Sequence, residues 1–269
     1  MLCNQSEISL SEMKTYALSL IFTLILPIYL SAQIIRPVFT LVDEPGICHN
    51  AHITSDGKFY YTCNGGADKD GNPHGKISKY TLRGDLLKNY PFKKFDMRSI
   101  MYNPKDKHLY ISTFDQKIYK IVDLESGTTE LRLEKIYKNG QSALALDPDG
   151  KTIYVMDGGT LTMYRLKDGS VIKSLSGLSS GADDKDNPGS GRFGSTAVAV
   201  DNKYIYTWDG HSGAKKIYAY DKNGKLVKIF QISNGNWGYT LSYANGYIFT
   251  ALDGLNRVGL WYGYHLWGK

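Results

Sequence analysis

Apolar and polar residues alternate along most of this chain, in short runs separated by turn residues. Ser142 to Leu166 reads SALALDPDGKTIYVMDGGTLTMYRL. It opens with an alternating run, turns at Asp-Pro-Asp-Gly, and continues in a second run rich in β-branched and aromatic residues. A Gly-Gly loop and a third run follow. Lys167-Asp168-Gly169-Ser170 then leads into Val171 to Ser176. Period-two alternation bounded by Asp and Gly turns predicts strands joined as hairpins, here four antiparallel strands.

The unit recurs. Second strands open at Lys58-Phe59-Tyr60-Tyr61, Lys107-His108-Leu109-Tyr110, Lys151-Thr152-Ile153-Tyr154, Lys203-Tyr204-Ile205-Tyr206 and Gly246-Tyr247-Ile248-Phe249. Third strands match at Ile77-Ser78-Lys79-Tyr80, Ile118-Tyr119-Lys120-Ile121, Leu161-Thr162-Met163-Tyr164 and Ile217-Tyr218-Ala219-Tyr220. The period, from the low forties to the low fifties, is that of propeller blades. The pattern predicts an all-β fold, a β-propeller of about five four-stranded blades. The last unit stops after its third strand, and the chain starts with an unpaired run, Ile34 to Val42. The N-terminal strand is therefore expected to close the ring as the outer strand of the last blade. A sixth blade would have to fit within 177–194, which is short and Gly-rich.

Tyr16 to Leu30 is apolar apart from Ser19, Thr23 and Pro27, follows Lys14, and exits through Ser31 and Ala32. This predicts a secretory signal peptide over 1–32 and a propeller domain over 33–269. The run is short of the roughly 20 residues that span a bilayer, so no membrane span is expected after cleavage; the alternative is an uncleaved anchor. The expected location is secreted or periplasmic. Cys48 and Cys63 would then meet an oxidising compartment. With the hairpin turn at Ser55 to Lys58 they sit at nearly the same height on adjoining strands, which predicts a disulfide; the alternative is two buried thiols. The net charge is +6, but Lys and Arg are scattered among Asp residues, a solvated surface rather than a nucleic-acid footprint.

Gln141 to Asp157, QSALALDPDGKTIYVMD, resembles the blade consensus of NHL-repeat, YVTN-repeat and SMP-30/gluconolactonase-like propellers. The resemblance implies the architecture; those families include lactonases and binding scaffolds. The gluconolactonase-like members hold a divalent metal at the channel mouth through one Glu with Asn and Asp side chains. Asp157 falls where such families place a polar residue at the end of a second strand.

Strand direction alternates within a blade, so loops before first strands and loops between second and third strands emerge on one face. That face is expected to carry His49, Asn50, Arg98, Gln141, Arg192 and Trp237, with Asp157, Asp209 and Asp253 at second-strand ends, and both long insertions, 64–75 and 177–194. Long loops on a rigid scaffold tend to carry function, although Asp-Gly pairs also form turns unaided. Asp68, Asp70 and Asn72 have the alternating oxygen spacing of a calcium loop, but Pro73 stands where an EF-hand needs Gly. A looser Ca2+ site and a solvated Asp-rich loop both remain readings. The function expected is non-catalytic: binding of a small molecule, glycan or protein through the long-loop face. The alternative is a metal-dependent lactonase or esterase-like hydrolase with Asp157, Asp209 and Asp253 as ligands and a bound water as nucleophile.

Overall fold

The computed structural model describes residues 34–44, 49–157, 160–178, 197–208, 215–234, 240–253 and 257–268. The chain divides into two units, Met1–Gln33 and Ile34–Lys269. The first unit, including the predicted signal peptide, lies outside the described residues. No helix occurs among the described residues.

The second unit is a five-bladed β-propeller. Blade one contains β3 (His49–Ser55), β4 (Phe59–Gly65), β5 (Gly75–Thr81) and β6 (Leu86–Phe92). Blade two contains β7 (Met97–Asn103), β8 (His108–Thr113), β9 (Lys117–Asp123) and β10 (Thr128–Glu134). Blade three contains β11 (Ala145–Leu146), β12 (Thr152–Asp157), β13 (Thr160–Arg165) and β14 (Val171–Leu175). Blade four contains β15 (Val198–Val200), β16 (Tyr204–Trp208), β17 (Lys216–Asp221) and β18 (Leu226–Ile232). Blade five contains β19 (Ser242–Ala244), β20 (Tyr247–Leu252) and β21 (Gly259–Tyr264), and its fourth strand is β2 (Phe39–Asp43). The innermost strands β3, β7, β11, β15 and β19 touch in sequence, and β19 returns to β3.

Closure by the N-terminal strand occurs as the unpaired run predicts, with one division. Phe39–Asp43 pairs antiparallel with β21, while β1 (Ile34–Ile35) pairs parallel with β18 and widens blade four. Pro37 separates the two pieces; without an N–H it cannot continue a ladder.

The second-strand repeat is a packing code. Tyr60, Leu109, Ile153, Ile205 and Ile248 each pack against the preceding blade. The next residue in each strand, Tyr61, Tyr110, Tyr154, Tyr206 or Phe249, packs against the following one. Successive strand residues point to opposite faces, so one dipeptide per blade joins two interfaces.

The inner edges bond across blades through hydroxyls. Leu144 N–H donates to Ser99 Oγ at 2.6 Å, Tyr102 N–H to Thr54 Oγ1 at 3.1 Å, and Ile53 N–H to Ser242 Oγ at 3.3 Å. These bonds satisfy buried donors that no ladder reaches, and they hold the axis tight. A cavity of about 30 Å3 lined from all five inner strands lies there, room for about one water.

Candidate functional site

At the junction of blades five and one, His49 Nδ1 lies 2.9 Å from Asp253 Oδ2. A carboxylate only accepts, so the imidazole donates. Arg257 Nε donates to the Asp253 carbonyl at 2.8 Å. Beside this pair, Asn50 is fully buried. Its Oδ1 accepts from Asn64 Nδ2 at 3.1 Å, and Asn64 Nδ2 also donates to Asp43 Oδ2 at 3.1 Å. Lys76 Nζ donates to Asp43 Oδ1 at 2.9 Å. Asp43 belongs to the closing strand, so this polar chain ties the outermost strand of blade five into blade one. The Tyr80 phenol is pushed up by burial and by the Asp43 carboxylate. Asn50 is thus part of the ring closure rather than a free ligand contact.

At the junction of blades one and two, Arg98 Nη2 donates to Asp96 Oδ2 at 2.8 Å, and its guanidinium sits 5.0 Å from the centre of the Phe114 ring. Asp96 Oδ1 accepts the Gly66 N–H at 2.6 Å. A Cβ on Gly65 would lie 1.8 Å from the Met97 carbonyl oxygen, so only glycine lets the two blades approach here. Gln141 is half-buried, in a turn held by its own N–H to Asn139 Oδ1 at 2.9 Å.

Asp157 goes elsewhere. It is exposed at the end of β12 and lines a cleft of about 400 Å3 between blades two and three. Lys135, Tyr137 and Lys138 form one wall, and Thr160, Thr162 and Ser174 the other. The lysine wall is pinned to blade two. Lys135 N–H donates to the Gln116 carbonyl at 2.8 Å, and Gln116 Nε2 donates to the Lys138 carbonyl at 3.0 Å. Lys135 and Gln116 both take left-handed backbone, with φ of 56° and 65°, a cost that non-glycine residues carry where a connection is held in place. The cleft offers one carboxylate, two ammonium groups and several hydroxyls.

The repeat register separates Asp157 from Asp253. Tyr154 and Phe249 are equivalent, so three residues on lie Asp157 and Leu252; Asp253 is one position further. The two carboxylates also sit at different blade junctions. Asp209, Arg192 and Trp237 lie outside the described residues. Among the described residues no group of three or more His, Cys, Asp and Glu side chains converges to hold a metal.

In the long loop of blade one, Asp68 is used by its own turn. Oδ1 accepts the N–H groups of Asp70 and Asn72 at 2.9 and 2.8 Å, and Oδ2 lies 3.1 Å from Asn72 Nδ2 and from His74 Nε2. Asn72 foremost holds this carboxyl at about 2. Asp70 and Asn72 are exposed.

Cys63 is a free, fully buried thiol, pushed up by burial, and Cys48 lies outside the described residues. The hairpin register that sets Ser55 opposite Tyr60 pairs Cys63 with His52, and the bulge beyond it, between Asn50 and His52, sets Asn50 opposite Asn64. His52 is buried beside the axis with Nδ1 2.8 Å from the Ile100 carbonyl. Burial lowers it to about 4.

Asp43, Asn64, Lys76 and Asp96, which build the two blade junctions, and Lys135 and Lys138, which build the cleft, escape a reading by strand-end position. Asp43 lies one residue beyond the unpaired run, Ile34 to Val42, that is expected to close the ring. The scan against family models and the search of curated proteins both find no match. Fold and geometry define the class: a five-bladed β-propeller closed by its N-terminal strand.

Proposed function

We propose that this chain is an exported β-propeller that binds a ligand or protein partner through its long-loop face, without catalysing a reaction on it. The observation that carries this reading is the Asp157 cleft. Its Lys135, Lys138, Asp157 and Thr160 end lies at the long-loop face and its lining continues along the blade to Tyr164 and Val171; it has the volume of a small-molecule site and mixes a carboxylate, ammonium groups and hydroxyls. That chemistry suits a hydroxyl-rich ligand such as a glycan. Two further features support a binding scaffold. Between the described inner strands the axis holds a cavity of about 30 Å3, of water size, so the ligand is assigned to the face rather than to a channel. Among the described residues, Asp43, Asn50, Asn64 and Lys76 at the junction of blades five and one, and Asp96 and Arg98 at that of blades one and two, are engaged in holding blades together. The likeness of Gln141–Asp157 to NHL- and YVTN-repeat blades fits the same reading, and five blades depart from the six typical of gluconolactonase-like enzymes. Export is supported by the apolar run Tyr16 to Leu30.

The test is a glycan array probed with the mature chain, 33–269, beside Asp157→Ala and Lys138→Ala. Binding of a glycan subset by the parent chain, lost in both variants, is the expected result. No bound glycan, or equal binding by the variants, overturns the glycan reading of the cleft.

A further inference from the structure

We infer that the opposite, short-turn face carries a second site, for an organic anion with a compact apolar body. A cleft of about 510 Å3 lies there between blades two and three. Its floor is Leu166, Ile172, Gly150 and the buried Tyr110 ring; Arg132, Lys151, Arg165 and Lys167 surround it.

The floor is built. Asn103 Nδ2 donates to the Gly150 carbonyl at 3.1 Å, joining the first hairpin turns of blades two and three. A Cβ on Gly150 would lie 2.4 Å from Asn103 Oδ1, and its φ of +69° is left-handed, so glycine is needed for this approach. Leu166 N–H donates to the Lys151 carbonyl at 2.7 Å and seats the apolar side chain. Ile172 remains 45 % exposed, an apolar surface open to the cleft.

The charge is unbalanced. Asp149 is the one carboxylate among the lining residues, and its turn consumes it. Oδ1 accepts the N–H groups of Lys151 and Thr152 at 2.6 and 3.0 Å, and Oδ2 accepts the Thr152 hydroxyl at 3.0 Å. The Tyr110 hydroxyl is bound to Asp106 at 2.6 Å, which turns the ring rather than the phenol toward the cleft. Arg132 has a carboxylate partner in Glu130, at 2.7 Å. Among the described residues, Lys151, Arg165 and Lys167 have no carboxylate within 4.0 Å; Arg165 Nη1 donates to Ser170 Oγ at 2.9 Å, and Arg165 and Lys167 act on the Asp168 carboxylate only at longer range. Their aliphatic stems extend the apolar wall while their charges stand at its rim. An apolar floor under a rim of four cations selects a ligand that is apolar at one end and carries a carboxylate or sulfonate at the other. Inorganic anions lack the body and neutral aromatics lack the charge.

The test is isothermal titration of the mature chain with 2-naphthoate, beside sulfate and 2-naphthylmethanol. One site for 2-naphthoate is expected, weakening between about 50 and 300 mM NaCl as screening increases. The double variant Lys151→Glu with Lys167→Glu should weaken it by about tenfold or more through repulsion, with an unchanged melting temperature showing an intact fold. Asp157→Ala should leave it unchanged, which separates this site from the long-loop cleft. No 2-naphthoate binding up to about 5 mM, a concentration beyond weak small-molecule affinities, overturns the proposal. So does equal binding of sulfate or 2-naphthylmethanol, or equal affinity of the double variant.

Discussion

The Tyr206 hydroxyl donates a 2.7 Å hydrogen bond to Oδ2 of Asp201, whose Oδ1 accepts the N–H groups of Lys203 and Tyr204 at 2.7 and 2.6 Å. One carboxylate thereby closes the first hairpin turn of blade four and anchors the aromatic that packs on blade five. Tyr61 with Asp56 and Tyr110 with Asp106 repeat it, at 3.0 and 2.6 Å. Blade three divides the work: Asp149 caps the turn and Asp147 takes the Tyr154 hydroxyl at 2.9 Å. In blade five Phe249 needs no acceptor, and Asn245 stands in the turn and donates to Tyr60 at 3.3 Å.

Asp201→Ala removes three charge-assisted bonds at once and is expected to cost about 2 kcal/mol, with Tyr206→Phe costing about 1 kcal/mol. Urea unfolding measures both. Equal stability of the parent and Asp201→Ala would show that the turn holds without its carboxylate.

Ring closure should depend on Asp43. Lys76→Met leaves that buried carboxylate without its cation and is expected to destabilise by about 3 kcal/mol, whereas the double change with Asp43→Asn recovers part of the loss. A double-mutant cycle reads the coupling; additive losses would mean that the pair does not act together.

His52 should make the fold acid-sensitive. Its folded value of about 4 lies below the ordinary 6.5 because burial disfavours the imidazolium. Above 6.5 both states are neutral and pH has no effect through this group. As pH falls toward 4 the unfolded chain takes a proton that the folded one refuses, so stability declines by about 3 kcal/mol in all. His52→Gln keeps a donor and lacks the titration, so its stability profile between these pH values should be flatter. A parallel profile would sink the assignment.

Asp68 has the opposite sign. Its carboxyl is held at about 2, below the usual 3.8, chiefly by Asn72. The charged form therefore supports the loop above 3.8, and that support is lost as pH falls through 2. NMR titration of the Asp68 carboxyl should find its midpoint near the lower value, and Asp68→Asn should speed exchange of the Asp70 and Asn72 amides. A midpoint near 3.8 would mean that the loop is not organised around this side chain.

Gly65→Ala should be among the costliest single-methyl changes in the chain, about 3 kcal/mol, because the obstructing atom is backbone oxygen of the next blade and cannot rotate away. Thermal unfolding checks it; a melting temperature within a degree or so of the parent would show that the junction can open.

The blades were legible because a strand writes its own two faces into alternate residues, and the same dipeptide in every second strand faced the two neighbouring interfaces. Closure was legible from an odd strand at each end. The candidate site was legible only as a set of strand ends. Asp157 and Asp253 look equivalent as Asp-Gly pairs, yet one extra residue moves Asp253 out of Asp157's register, and it meets His49. Ala51, the bulge residue of β3, sets Asn50 opposite Asn64, and the two amides bond. These outcomes depend on which blade lies next in the ring and on single-residue offsets between paired strands. Local pattern determined the elements and their order; the distances between residues more than a hundred positions apart were decided by blade packing alone.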